Sequence, residues 1–81
     1  MKQRTIELLK YAGMEMDYFN PKGSKRQQEW DRLCEQYSEK ACWNKLIDLT
    51  EKDYVNYGTS PRGSWLESKG KEVLKNLGEL T

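Results

Sequence analysis

Apolar positions along this chain follow a helical period through its first two thirds, switch to simple alternation, and return to the helical period at the end. The first helical stretch runs from Gln3 to Met16, with Ile6, Leu9, Gly13 and Met16 on one stripe and Leu8 and Ala12 beside it. Gly13 weakens its second half, because glycine carries the largest backbone entropy penalty in a helix. Asn20 to Ser24, "NPKGS", then punctuates the chain, and Ser24 offers its hydroxyl as a cap for a second helix over Lys25–Tyr37. Trp30, Leu33, Cys34 and Tyr37 fall at i, i+3, i+4 and i+7 there, which is one apolar face. Ser38 is the expected break and the next N-cap. A third helix follows to Glu51, carrying Cys42, Trp43, Leu46, Ile47 and Leu49. Two helices separated by so short a turn fit a helix-turn-helix, and fit an ordinary helical hairpin equally well.

Alternation begins at "DYVNYG", with Val55 and Tyr57 on one face and Tyr54 and Asn56 on the other. Ser60-Pro61-Arg62-Gly63 has the residues of a type I turn, and "GSWLE" returns as the partner strand. Residues near 54–57 are therefore expected to pair with 63–66, leaving Pro61 and Arg62 exposed at the tip and Trp65 buried. Ser68 can cap a final helix whose buried stripe is Val73, Leu74 and Leu77. The expected fold is mainly α with a small β-hairpin, in the order helix, helix, helix, hairpin, helix, as a single domain over residues 1–81.

Composition narrows the chemistry. The chain has 81 residues, 36% hydrophobic and 33% charged, and its nine aromatic residues argue for a folded domain with a small core. No apolar run reaches membrane-spanning length and the N-terminus lacks a secretory signal's apolar segment, so a cytoplasmic location and no membrane partner are expected. With no histidine, neither a Cys-His dyad nor a Ser-His-Asp triad can form, and two cysteines do not complete a structural zinc site. Cys34 and Cys42 read as small core residues. "PKGSK", Pro21 to Lys25, lacks both the spacing and the preceding strand of a phosphate-binding loop. No enzyme activity, metal or cofactor is expected.

The passage Leu46 to Leu77, "LIDLTEKDYVNYGTSPRGSWLESKGKEVLKNL", resembles the winged helix-turn-helix family in its MarR-like and PadR-like branches. In those branches a recognition helix ends in a leucine-rich turn and a short strand, followed by a wing hairpin. The last strand enters a helix through a Leu-Thr-x-Lys-Gly stretch. Leu46, Leu49, Tyr54 and Val55 stand where the family packs the recognition helix against the wing, and Trp65, Leu66, Lys69 and Gly70 match the exit. Glu67 replaces the usual Thr, and Asp53 stands where Gly is usual. The resemblance implies a winged-helix fold and duplex-DNA binding.

Charge bears on that implication. Residues 1–26 carry net +3, residues 27–53 net −3 and residues 54–81 net +1. A DNA reader normally presents a basic stripe, so the acidic middle third counts against strong binding by one copy. Within it, Lys40, Asn44 and Lys45 occupy the first two turns of the third helix, the part that reads a major groove. Arg62 at the wing tip suits a narrow minor groove, and Lys69, Lys71 and Lys75 suit flanking phosphates. Each also has a plainer reading, as a solvated helix face or turn charge. The function expected is that of a small DNA-binding transcription regulator or accessory protein. The alternative is a protein-interaction module of the same fold, such as a phage or mobile-element inhibitor of a host protein. A homodimer is expected to form through Leu8, Leu9, Tyr11 and Ala12 of the first helix.

Overall fold

The structure is a computed structural model that describes residues 1–15 and 23–78. Among these, four helices and one two-stranded antiparallel sheet are formed: α1 (Gln3–Ala12), α2 (Lys25–Tyr37), α3 (Glu39–Glu51), β1 (Val55–Asn56), β2 (Trp65–Leu66) and α4 (Ser68–Asn76). The expected element order is thus found. The boundaries of the second and third helices match those read from the sequence. Helix α1 stops at Ala12, with Gly13 as its C-cap. Met16 and Pro21, which figure in the sequence reading, lie outside the described residues.

Serine hydroxyls set both ends of the α2 region. Ser24 Oγ accepts the amide N–H of Gln27 at 3.0 Å, and Ser38 Oγ accepts that of Ala41 at 3.2 Å. Ser38 alone joins α2 to α3. It does so with φ +81°, in the region L-residues avoid, so this one-residue junction is strained and must be held by the packing of the two helices. At the other end of α3, Asp53 has φ +65°. That is the physical reason glycine suits this position, and aspartate is among the few other residues that tolerate it.

One contiguous core forms from Leu8, Leu9, Tyr11 and Ala12 of α1, Trp30 and Leu33 of α2, Cys42, Leu46 and Leu49 of α3, Val55, Leu66 and Leu74. Four expectations are overturned by it. The α1 residues proposed for a dimer contact, Leu8, Leu9, Tyr11 and Ala12, are all buried inside the monomer and offer no surface to a second copy. Leu77 stands 45% exposed beyond the last buried turn of α4. Trp65 is 46% exposed, because the register Val55↔Leu66 and Asn56↔Trp65 turns Val55 and Leu66 inward and their neighbours outward. Its indole N–H donates instead to Glu67 Oε1 at 3.0 Å, so Trp65→Ala belongs with ordinary surface substitutions rather than core truncations. Finally, Ser68 does not cap α4. The N-cap is Glu67, without a side-chain bond, and Ser68 is the first residue of the helix itself.

A surface network ties α1 to α2. Tyr37 Oη donates to Glu7 Oε2 at 2.5 Å, and Arg32 Nη2 lies 3.3 Å from Glu7 Oε1. The Tyr37 hydroxyl first, and Arg32 with it, hold the Glu7 carboxyl below its ordinary value of 4.5. Its folded-state value is therefore lower than its unfolded one, so its contribution to stability is full above about pH 4.5 and is lost as acid takes the pH through the lowered value. Glu7→Gln is expected to make the decline in denaturant midpoint between pH 5 and pH 3 shallower than in the wild-type protein. Parallel acid limbs for the two proteins would show that Glu7 is not so coupled.

Candidate nucleic-acid interface

The hairpin connection is built as a docked strap rather than a projecting tip. Ser60, Pro61, Arg62 and Gly63 form the expected tight turn, with the Gly63 amide donating to the Ser60 carbonyl at 2.9 Å and a 3-10 turn over Pro61–Gly63. Pro61, expected at the exposed tip, is buried, because the turn packs against α3. What draws it inward is Arg26, 6% exposed in the first turn of α2. Its Nη2 donates to the carbonyls of Arg62 at 3.0 Å and Ser64 at 2.5 Å. Its Nη1 donates to those of Met14 at 2.8 Å and Ala12 at 3.3 Å. The guanidinium also lies 4.3 Å from the Tyr11 ring centroid, and the Tyr11 hydroxyl donates to the Arg62 carbonyl. A buried cation is thus satisfied by four backbone dipoles, two from the end of α1 and two from the turn.

Five of the six candidate residues fall into two groups. Lys40 and Asn44 are both exposed, one helical turn apart at the start of α3. Arg62 is exposed on the turn that packs against α3, with its guanidinium carbon 5.8 Å from the Trp30 ring centroid. Its charge is felt at Cys34, beside the α2–α3 junction, together with those of Glu39 and Asp31. Lys69 and Lys71 are exposed at the start of α4, near the opposite end of α3. Lys69 Nζ donates to the carbonyl of Lys52, the C-cap of α3, at 3.1 Å and lies 4.8 Å from the Tyr54 ring centroid. From Lys40 to Lys52 is about 18 Å along a helix axis, so the groups do not merge. A groove beside Lys69 is lined by the carboxylates Asp53 and Glu67, which interrupt the cationic surface there.

Lys45 departs from the expected role. It is half-buried and pairs with Asp48 at 3.5 Å, and Asp48 also takes Lys52 at 3.1 Å. The Lys52 ammonium, then Lys45, holds the Asp48 carboxyl below its ordinary value. The later turns of α3 are therefore largely neutralised by these pairs, and its first turn exposes Glu39 beside Lys40. Arg26 was not legible as a functional residue, since a backbone carbonyl partner leaves no residue type to search for.

Among the described residues, no group of three or more Cys, Asp or Glu side chains is placed to hold a metal ion, and no helix is long and apolar enough to cross a membrane. Comparison with protein-family models, with curated proteins and with solved structures returns no match.

Proposed function

We propose that the chain is a small winged-helix module that binds duplex DNA, a transcription regulator or accessory protein, with the first turns of α3 as its reading element. The observations that carry this are the exposure of Lys40 and Asn44 one turn apart at the start of α3, and of Arg62 on a turn that packs against α3 and whose backbone is held by Arg26. Asn can read adenine and Lys guanine from a helix N-terminus in the major groove. Arg62, resting on Trp30, gives up only a weak exposed cation–π contact to meet phosphate or a narrow minor groove. Lys69 and Lys71 then serve flanking phosphates. Lys45 leaves the reading set, because Asp48 holds it. With few free cations, one copy binds modestly. A second copy on a two-fold operator meets the first through a surface other than Leu8, Leu9, Tyr11 and Ala12.

Fluorescence anisotropy with labelled duplexes at several salt concentrations tests this. Three phosphate contacts imply a loss of roughly 40-fold in affinity between 50 and 200 mM salt. Lys40→Glu is expected to weaken binding about ten-fold or more, and Arg62→Ala to flatten the salt slope by about one. A folded protein that shows no saturable binding at low salt would end the proposal. A second reading, docking on another protein in the manner of a small phage or mobile-element inhibitor, is favoured by the exposed Trp65 and by the neutralised later turns of α3. A flat duplex titration is the result that selects it.

A further inference from the structure

The two cysteines were expected to be small core residues, and the fold sets them on facing helices either side of Ser38. Cys34 lies four residues before Ser38 on α2, and Cys42 four residues after it on α3. The one-residue junction folds α3 back on α2 so that the Cys42 Sγ reaches the carbonyl of Leu33, the residue before Cys34. Cys42 is wholly buried, with its Sγ 3.5 Å from the Leu33 carbonyl, whereas Cys34 keeps partial exposure. The Cys42 sulfur thus lies beside the backbone that carries Cys34, and a disulfide requires the two sulfurs to close to roughly 2.05 Å.

We propose that Cys34 and Cys42 form a dithiol modification site that takes a small organic disulfide and closes into an intramolecular disulfide tying α2 to α3. Cys34, the accessible sulfur, loses its proton to solvent and attacks one sulfur of the reagent. The reagent's S–S bond breaks, and one thiolate leaves and is protonated. Cys42 then loses its proton and attacks the Cys34 sulfur of the mixed disulfide, expelling the second thiol. Two protein thiols are oxidised and one reagent disulfide is reduced to two thiols, so electrons and protons balance.

The environment sets the pace of this exchange. Burial pushes Cys42 up to about 11 and raises Cys34 as well, with Glu39 and Asp31 adding to the rise at Cys34 and Arg62 opposing it. Exchange at neutral pH is accordingly slow, because only the thiolate attacks. The product spans the strained Ser38 junction and closes a short loop, which restricts the unfolded chain.

Incubating the full chain with oxidised glutathione, followed by mass spectrometry without reductant, tests the assignment. The expected product is a monomer lighter by two hydrogen atoms. After trypsin its peptides 33–40 and 41–45 migrate as one species, because cleavage after Lys40 falls between the two cysteines. Its Tm is expected to rise by about 5 °C or more and to return to the starting value with reductant. Cys34→Ser is expected to give no such product. If the wild-type chain instead stops at a stable glutathione adduct, or forms only disulfide-linked dimers, the pair is not a disulfide site. That readout needs no variant to fold.

Discussion

Replacing Arg26 by methionine is expected to lower stability by about 3–5 kcal/mol and Tm by about 15 °C or more. Methionine fills much of the space, but the buried Ser64 carbonyl loses its donor, and those of Ala12 and Met14 lose theirs with it, while the Arg62 carbonyl keeps only the Tyr11 hydroxyl. Relief of the cation's own desolvation offsets part of the cost, which is why the figure is well below the sum of four charge-assisted bonds. A domain of this size holds only about 5–15 kcal/mol in total, so the variant sits near the edge of folding. Arg26→Lys keeps the charge but has one nitrogen, which cannot span carbonyls on both α1 and the turn, so it is expected to recover less than half of the loss. Amide exchange adds a local readout. The amides of Gly63 and Ser64, bonded to Ser60 and Pro61 in the turn, should lose protection before those of α2 and α3. A Tm within about 3 °C of wild type for Arg26→Met would show that the carbonyls find other partners.

Gly70→Ala is the second large effect, and its sign is opposite to the intrinsic preference. In an exposed helix the change would stabilise by about 1 kcal/mol. Here a Cβ at Gly70 would run into the carbonyl oxygen of Tyr54 and sit 2.9 Å from Leu66 Cδ2. The Tyr54 carbonyl cannot swing aside, since it accepts the Glu67 amide at 3.1 Å and so holds the hairpin to the start of α4. The methyl must therefore push α4 off the sheet, at an expected net cost of about 3 kcal/mol. Gly58→Ala is the contrast. Nothing lies within 4 Å of a Cβ there, so that change is expected to be neutral or to stabilise by about 0.5 kcal/mol through the unfolded chain. Denaturant midpoints at constant m-value measure both. Equal effects at Gly58 and Gly70 would contradict the close approach of α4 to β1.

These two sites show different degrees of legibility. Gly70 was visible as the glycine of a Lys-Gly stretch at the exit of the hairpin, and the structure supplies its reason in one blocked carbonyl. Arg26 was invisible. In sequence it is one of several cations around "KGSKR", and neither its burial nor its partners leave a trace, because the partners are main-chain oxygens of residues far away in the chain. Among the candidate DNA contacts, Lys40 and Asn44 emerged exposed and together, as helix periodicity required. Lys45, one residue on, points around to Asp48. Trp65 shows the limit of composition as a guide. Large aromatics usually pack inward, but in a two-stranded sheet register alone decides which neighbour does so, and Leu66 took the inner place.

By itself the sequence determined the local matters: four helices and one hairpin in their order, the Ser24 and Ser38 caps, the Ser-Pro-Arg-Gly turn, and most of the α2 and α3 faces. These depend on contacts within a few residues, where period, capping hydroxyls and proline or glycine geometry are written in residue type. Only the tertiary structure decided that the turn lies down on the body, that α1 spends its apolar residues on the core, that Asp48 silences Lys45, and that Cys42 reaches the α2 backbone beside Cys34. Each of those depends on two segments meeting in space, and the free energy of that meeting is carried by carbonyl oxygens, register and shape, none of which has a letter in the sequence.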